Sequence, residues 1–147
     1  MSRFDELFNA LDMVNSIFDD DATNVGHKTA VEYSLPAYPP CEMLKAKDGT
    51  LTINFAVAGF KKEDLEITFD ENKVVVKTVD DYKVPELAKD VSFIGCNRIK
   101  KSAFKTDLIV PESKFNFGEI TAKFENGILS LVIPPKEKRE YKPVSIA

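Results

Sequence analysis

The sequence predicts an all-β domain, a sandwich of short strands, held between a helical N-terminal arm and an extended C-terminal tail. Three observations predict it. Apolar residues recur at every second position through much of residues 38–135, the period of a half-buried strand. An Asn126-Gly127 pair joins two such runs, and both residue types tolerate the positive φ of a tight hairpin. Finally, no long helical repeat separates the runs, as an α/β fold would require.

The arm comes first, at residues 1–37. Phe4, Leu7, Phe8, Leu11, Val14 and Phe18 recur at spacings of three and four, which lines them along one helical face. Ser2 followed by Asp5 offers a capping-box-like start, and Asp19, Asp20 and Asp21 end the pattern, because short acidic side chains compete with the helix backbone. A helix of about 16 residues with that stripe buries it on something, either its own domain or another chain. The stretch from Ala22 to Leu35 reads as a linker.

In the domain, Leu51, Ile53, Phe55 and Val57 alternate in one strand, and Leu65, Ile67 and Phe69 in the next. Asp70, Glu71 and Asn72 make the turn into KVVVKTV. AFKTDLIVP is a further strand, ended by Pro111, and EITAKFENGILSLVIPP supplies the last hairpin. One connection breaks the rhythm. The segment from about residue 80 to 102 is long for a hairpin loop, and long loops tend to be functional. Within it, Val91, Ser92, Phe93 and Ile94 have the composition of a short strand that needs a sheet edge to pair with, on this subunit or another. The tail, residues 136–147, begins with a charged run and ends in Val144 and Ile146 around Ser145.

Composition excludes several functions. Twenty Lys+Arg against 24 Asp+Glu give a net charge of −4, whereas nucleic-acid binding calls for a basic stripe. No run approaches the roughly 18 apolar residues that suggest a membrane span, and the N-terminus is too acidic for a signal or transit peptide, so the expected place is the cytoplasm. Cys41 and Cys96 stand far apart outside any CxxC pattern and read as free thiols. The single histidine, His27, in a polar stretch, leaves little room for nucleophile–base triads or His-based metal sites. No phosphate-cradling glycine motif is present, and the acidic pairs lack calcium-loop spacing. The reading is a non-enzyme without metal or cofactor, whose function lies in binding.

Three segments in order, INFAVAGFKKEDLEITFDENKVVVKT, FKTDLIVPESKFNFGEITAKFENGILSLVIPP and the final Val144-Ser145-Ile146, together resemble the small heat shock protein family, of bacterial or plant-like type. The resemblance covers residues 38–147. It implies an immunoglobulin-like sandwich, the α-crystallin domain, and an ATP-independent holdase whose homodimers assemble into larger homo-oligomers and bind unfolding client proteins. It implies that Val91–Ile94 is a strand swapped between dimer partners. It also implies that the tail anchors Val144 and Ile146 dock in a groove between the strand at Leu65–Phe69 and the last strand, with Leu65, Ile67, Leu129 and Leu131 as walls. Phe4, Leu7, Phe8, Leu11 and Phe18 would serve arm and client contacts. Three departures stand out. The stretch from Gly95 to Phe104 is longer than is usual in the family, which leaves the register of the swapped strand open. Aligned on Pro111, Thr106 takes a position where the family often has Arg. The first tail anchor is Val144 rather than Ile, one methylene less, worth about 0.8 kcal/mol if fully buried. A co-chaperone with a related sandwich, monomeric and docking on one chaperone, is the first alternative; a structural subunit of a larger particle is the second.

Overall fold

The computed structural model describes residues 38–99, 102–137 and 143–147. The expected arm helix and His27 lie outside these residues. Seven strands form two antiparallel sheets. β1 (Cys41–Lys45), β2 (Leu51–Ala56), β6 (Thr121–Glu125) and β7 (Ile128–Ile133) make a four-stranded sheet in the order β1-β2-β7-β6. β3 (Leu65–Asp70), β4 (Lys73–Thr78) and β5 (Lys105–Ile109) make a three-stranded sheet with β4 in the middle.

The core follows from the alternation. On β2, Leu51, Ile53 and Phe55 are buried, with Val57 just beyond it, and they meet Val74, Val76, Leu108 and Val110 from the other sheet. Burying each such side chain stabilises by about 1.5–3 kcal/mol. β4 reads differently, because Val74, Val75 and Val76 are all buried. It is the central strand of its sheet, and Val75 points away from the sandwich interior, so a continuous apolar run is tolerated there. β1 is an addition to the strands expected from the sequence. Its apolar positions, Cys41 and Met43, are only partly buried against the core, and Pro39 and Pro40 in front of it obscure its start.

Among the described residues two of the three hairpins, β3–β4 and β6–β7, turn through two-residue loops. Glu71 takes φ 44° between β3 and β4. Asn126 and Gly127 take φ 53° and 75° between β6 and β7, the conformation whose twist matches antiparallel strands. Gly127 has a second reason to lack a side chain: a Cβ there would lie 3.2 Å from Ala58, while its carbonyl accepts the Val57 amide at 2.8 Å. The β3–β4 turn is tied across the sheet, because Asn72 accepts from Val110 N–H through its backbone at 2.9 Å and from Glu112 N–H through its side chain at 3.0 Å.

The long connection from Val79 to Phe104 leaves and returns at one aromatic cluster. Phe60 lies 5.5 Å from Tyr82 and 5.3 Å from Phe104, and Tyr38 meets Phe104 edge-on at 5.3 Å. Burial raises the Tyr38 and Tyr82 hydroxyl pKa values above the ordinary tyrosine range. Between these anchors the described residues join no ladder. In the single chain Val91–Ile94 pairs with no strand, since an extended segment becomes a strand only when an edge receives it.

Candidate functional site

A sandwich of two open sheets has four edge strands, and each presents unpaired backbone groups. Here they are β1 and β6 in one sheet and β3 and β5 in the other. The edges differ in what lies beside them, and two surfaces emerge.

The first surface is a cleft between β3 and β6. Leu65, Ile67 and Phe69 sit opposite Thr78, Val76 and Val74 on β4, so all three point to the interior side. Leu65 and Ile67 pack against the core but stay partly open, and Phe69 is exposed. On β6, Ala122 and Phe124 sit opposite Leu131 and Leu129, so they face the same interior. Phe124 is half-buried, yet Ala122 is exposed although it points inward. An inward residue open to water means that the sandwich is not closed along this side. The Phe69 ring lies 5.8 Å from that of Phe117, which stands in the 3-10 turn Phe117–Glu119 just before β6, so the two edges share one side of the molecule.

This corrects the groove expected from the sequence. Leu65 and Ile67 stand at the opening, but Leu129 and Leu131 are 4% and 0% exposed. β7 is not an edge. It lies between β2 and β6 with ladders on both sides, so its inward residues are core, and the opposite wall falls to Ala122 and Phe124. A two-residue turn at Asn126-Gly127 pairs position 125 with 128, hence 124 with 129 and 122 with 131, but it is the sheet order that makes the strand before the turn the outer one.

The segment that would fill such a cleft is also described. Val144 and Ile146 are 92% and 99% exposed and seated on nothing. Pro143 biases the residue before it to an extended conformation, and in an extended chain two residues at i and i+2 point the same way.

The second surface is the open edge of β1. Ala56 N–H donates to Pro40 O at 2.8 Å and Ala46 N–H to Thr50 O at 2.9 Å. In an antiparallel pair, backbone groups alternate between the two sides. The even-numbered residues of β1 therefore turn to β2, while Cys41, Met43 and Lys45 offer their amides and carbonyls to the open side. Leu44 is exposed on the outer face, and Cys41 is half-buried with its thiol pKa raised by desolvation. Phe93 and Ile94 of the long loop are 60% and 93% exposed. The molecule thus carries two open edges and two uncovered apolar segments.

At the position where the resemblance leads one to expect Arg, Thr106 is 2% exposed and its hydroxyl has no hydrogen-bond partner. It faces the interior from β5, opposite Val76. Among the described residues no group of three or more His, Cys, Asp or Glu could hold a metal ion, and no helix is long and apolar enough to cross a membrane.

Seven strands in two sheets, partly open between β3 and β6 and with a long connection from β4 to β5, make the architecture of an α-crystallin-type domain among the described residues. Residues 43–147 match the Hsp20/alpha crystallin family, and the chain belongs to it. It is 26% identical over 134 residues to Heat shock protein 16 of Schizosaccharomyces pombe, covering 88% of this chain and 87% of that one. It is 28% identical over 111 residues to the small heat shock protein IbpB of Klebsiella pneumoniae, covering 76% and 72%. Among solved structures, a small heat-shock protein from Xylella fastidiosa, described as having a distinct high order structure, superposes with a TM-score of 0.58 at 18% identity, over 74% of this chain and 95% of that one. Heat shock protein 16.0 of Schizosaccharomyces pombe superposes at 0.54 with 24% identity, over 74% and 97%. Membership in this family implies a chaperone.

Proposed function

We propose that the protein is an ATP-independent holdase that binds unfolding proteins before they aggregate, and that it works as homodimers assembled into larger homo-oligomers. The observation that carries this reading is the coexistence of open sheet edges with exposed apolar segments, Val144 and Ile146 in the tail and Phe93 and Ile94 in the loop. Val144 and Ile146 dock between Leu65 and Ile67 on one side and Ala122 and Phe124 on the other, in a neighbouring subunit. Burying the two anchors contributes about 3–6 kcal/mol before ordering costs, which leaves each contact weak and reversible. Many such contacts per particle hold it together through multivalency. Val91–Ile94 crosses to the open edge of β1 in the dimer partner.

The same surfaces suit the activity. Unfolding proteins expose extended apolar segments, and an edge cleft binds such a segment by strand addition and side-chain pockets. The arm, with Phe4, Leu7, Phe8, Leu11 and Phe18, supplies further apolar contact to clients, in the cytoplasm.

The test is to heat an aggregation-prone client with and without the protein, in the absence of nucleotide, and follow light scattering. Suppression at near-stoichiometric ratios supports a holdase. Unchanged scattering overturns the reading and favours a subunit that only assembles. Replacing Phe4 and Phe8 with Ser lowers protection while β-sheet circular dichroism stays unchanged; full protection by that variant removes the arm from client binding.

A further inference from the structure

Two cysteines are left without a role in the fold or in the proposed assembly. Cys41 lies on β1, the open edge, and Cys96 lies two residues beyond Ile94, in the loop segment proposed to cross to it. Both thiols are free. Any pairing between them rests on the proposed exchange of that segment between dimer partners.

Which residues meet depends on register. On β1 the odd-numbered residues Cys41 and Met43 face inward, packed against the core, and Glu42 and Leu44 face outward. In an extended Val91–Ile94, Ser92 and Ile94 point one way and Val91 and Phe93 the other. Among antiparallel registers within two residues of one another, only one gives both Met43 and Leu44 an apolar partner. It sets Met43 opposite Ile94 and Leu44 opposite Phe93. Shifting by one residue puts Ser92 or Gly95 against one of them, and shifting by two puts Ser92 or Cys96 against Met43. Every ladder in the domain is antiparallel. In the matched register Cys96 falls opposite Cys41.

We propose that Cys41 of one subunit and Cys96 of its dimer partner form a disulfide under peroxide, so that oxidation locks the exchanged dimer covalently. Cys41 turns its backbone groups to the open side, so it would occupy a hydrogen-bonded pair, with Cα atoms about 5.5 Å apart. That Cα separation lies within the range a disulfide spans, while the Cβ atoms, about 5.5 Å apart in such a pair, must close by at least about 1 Å to form it. Gly95 stands at φ 73° with no atom within 4 Å of where a Cβ would be. It has the freedom to straighten and carry the strand through to Cys96.

The chemistry balances. Cys96 is exposed, and its thiolate attacks one oxygen of hydrogen peroxide, breaking the O–O bond to give a sulfenic acid and, after protonation, water. The Cys41 thiol then attacks that sulfur and water leaves with its proton. Two thiols lose two electrons in total, and one peroxide becomes two waters. Burial holds the Cys41 thiol above its usual pKa, which slows the second step near neutral pH.

The experiment uses the full chain and mixed variants. Cys41→Ser and Cys96→Ser proteins are mixed, allowed to exchange subunits under reducing conditions, then treated with hydrogen peroxide. The result expected is a covalent dimer on a non-reducing gel whose proteolytic map joins the Cys41 and Cys96 peptides. Oxidised wild type gives the same bridge and loses both of its thiols. Native mass under reducing conditions is measured alongside. Dimers without the 41–96 bridge, or bridged only 96–96, overturn the register and leave the exchange standing; a parallel pairing, which puts Cys96 beyond Lys45, gives that result. Monomers without a bridge overturn the exchange itself. A bridge within one chain, seen as full thiol loss at monomer mobility, overturns the proposal directly.

Discussion

Ile133 and Ile146 are the same residue in the same kind of sequence. Each ends an alternating apolar run, LSLVI in one case and VSI in the other. Ile133 is wholly buried and Ile146 is almost wholly exposed. The difference is not in hydrophobicity but in company. β7 has β2 on one side and β6 on the other, and a second sheet beneath it. The tail has a charged tether before it and no ladder. Alternation creates an extended apolar face; a strand or a cleft must then be supplied, and in the proposed assembly another subunit supplies the tail's.

The comparison breaks most visibly at the core. Leu131→Ala removes a fully buried side chain and costs about 2–5 kcal/mol, read as a lower urea midpoint. Val144→Ser with Ile146→Ser should lower that midpoint far less, because both residues are solvated in the single chain and stabilise only through weak contacts between subunits. Comparable losses from the two variants would erase the distinction between core and tail.

A sharper probe sits on β5. Thr106 keeps a buried hydroxyl without a partner, and leaving a buried polar group unmade is expensive. Thr106→Val keeps the shape and removes the hydroxyl, so the domain should gain about 1–2 kcal/mol in urea unfolding. A loss would mean that the hydroxyl has a partner in solution.

Ala122→Glu sets a charge at the cleft without touching the core. Exposed as Ala122 is, the melting midpoint should stay nearly constant while large particles disappear on a sizing column. The smallest effect belongs to Lys123–Glu125, an exposed ion pair at 2.6 Å. Its hydrogen bond and charge lower the Glu125 pKa. Whatever stability it adds is present at neutral pH and is lost as pH falls through the lowered value. Glu125→Gln should therefore lower the melting midpoint slightly at neutral pH and coincide with wild type at the acid end, which flattens the acid limb.

Much of this is legible in the sequence, for local reasons. The strands at Leu51, Leu65, Lys73, Lys105 and Ile128 announce themselves through period-two patterning and two-residue turns, which depend only on neighbours along the chain. The resemblance to small heat shock proteins rests on the same stretches. The cleft is half legible. The resemblance names Leu65 and Ile67 as walls, and both stand partly open on the inner side of β3. It also points to Leu129 and Leu131, whose alternation is that of an edge strand; sheet order, a long-range property, puts Ala122 and Phe124 there instead. β1 is hard to read because its inward face is short and only half covered. That Val91–Ile94 pairs with nothing in one chain is consistent with its composition, since a strand sequence cannot name the edge it will join.

The most direct test of the central claim, that the uncovered tail and the uncovered cleft belong together between subunits, is native mass spectrometry under reducing conditions. Wild type and the Val144→Ser, Ile146→Ser variant are measured at equal concentration. Large homo-oligomers are expected for wild type and mainly dimers for the variant, with a much smaller fall in the urea midpoint than Leu131→Ala causes. Oligomers of equal size in both would contradict the claim.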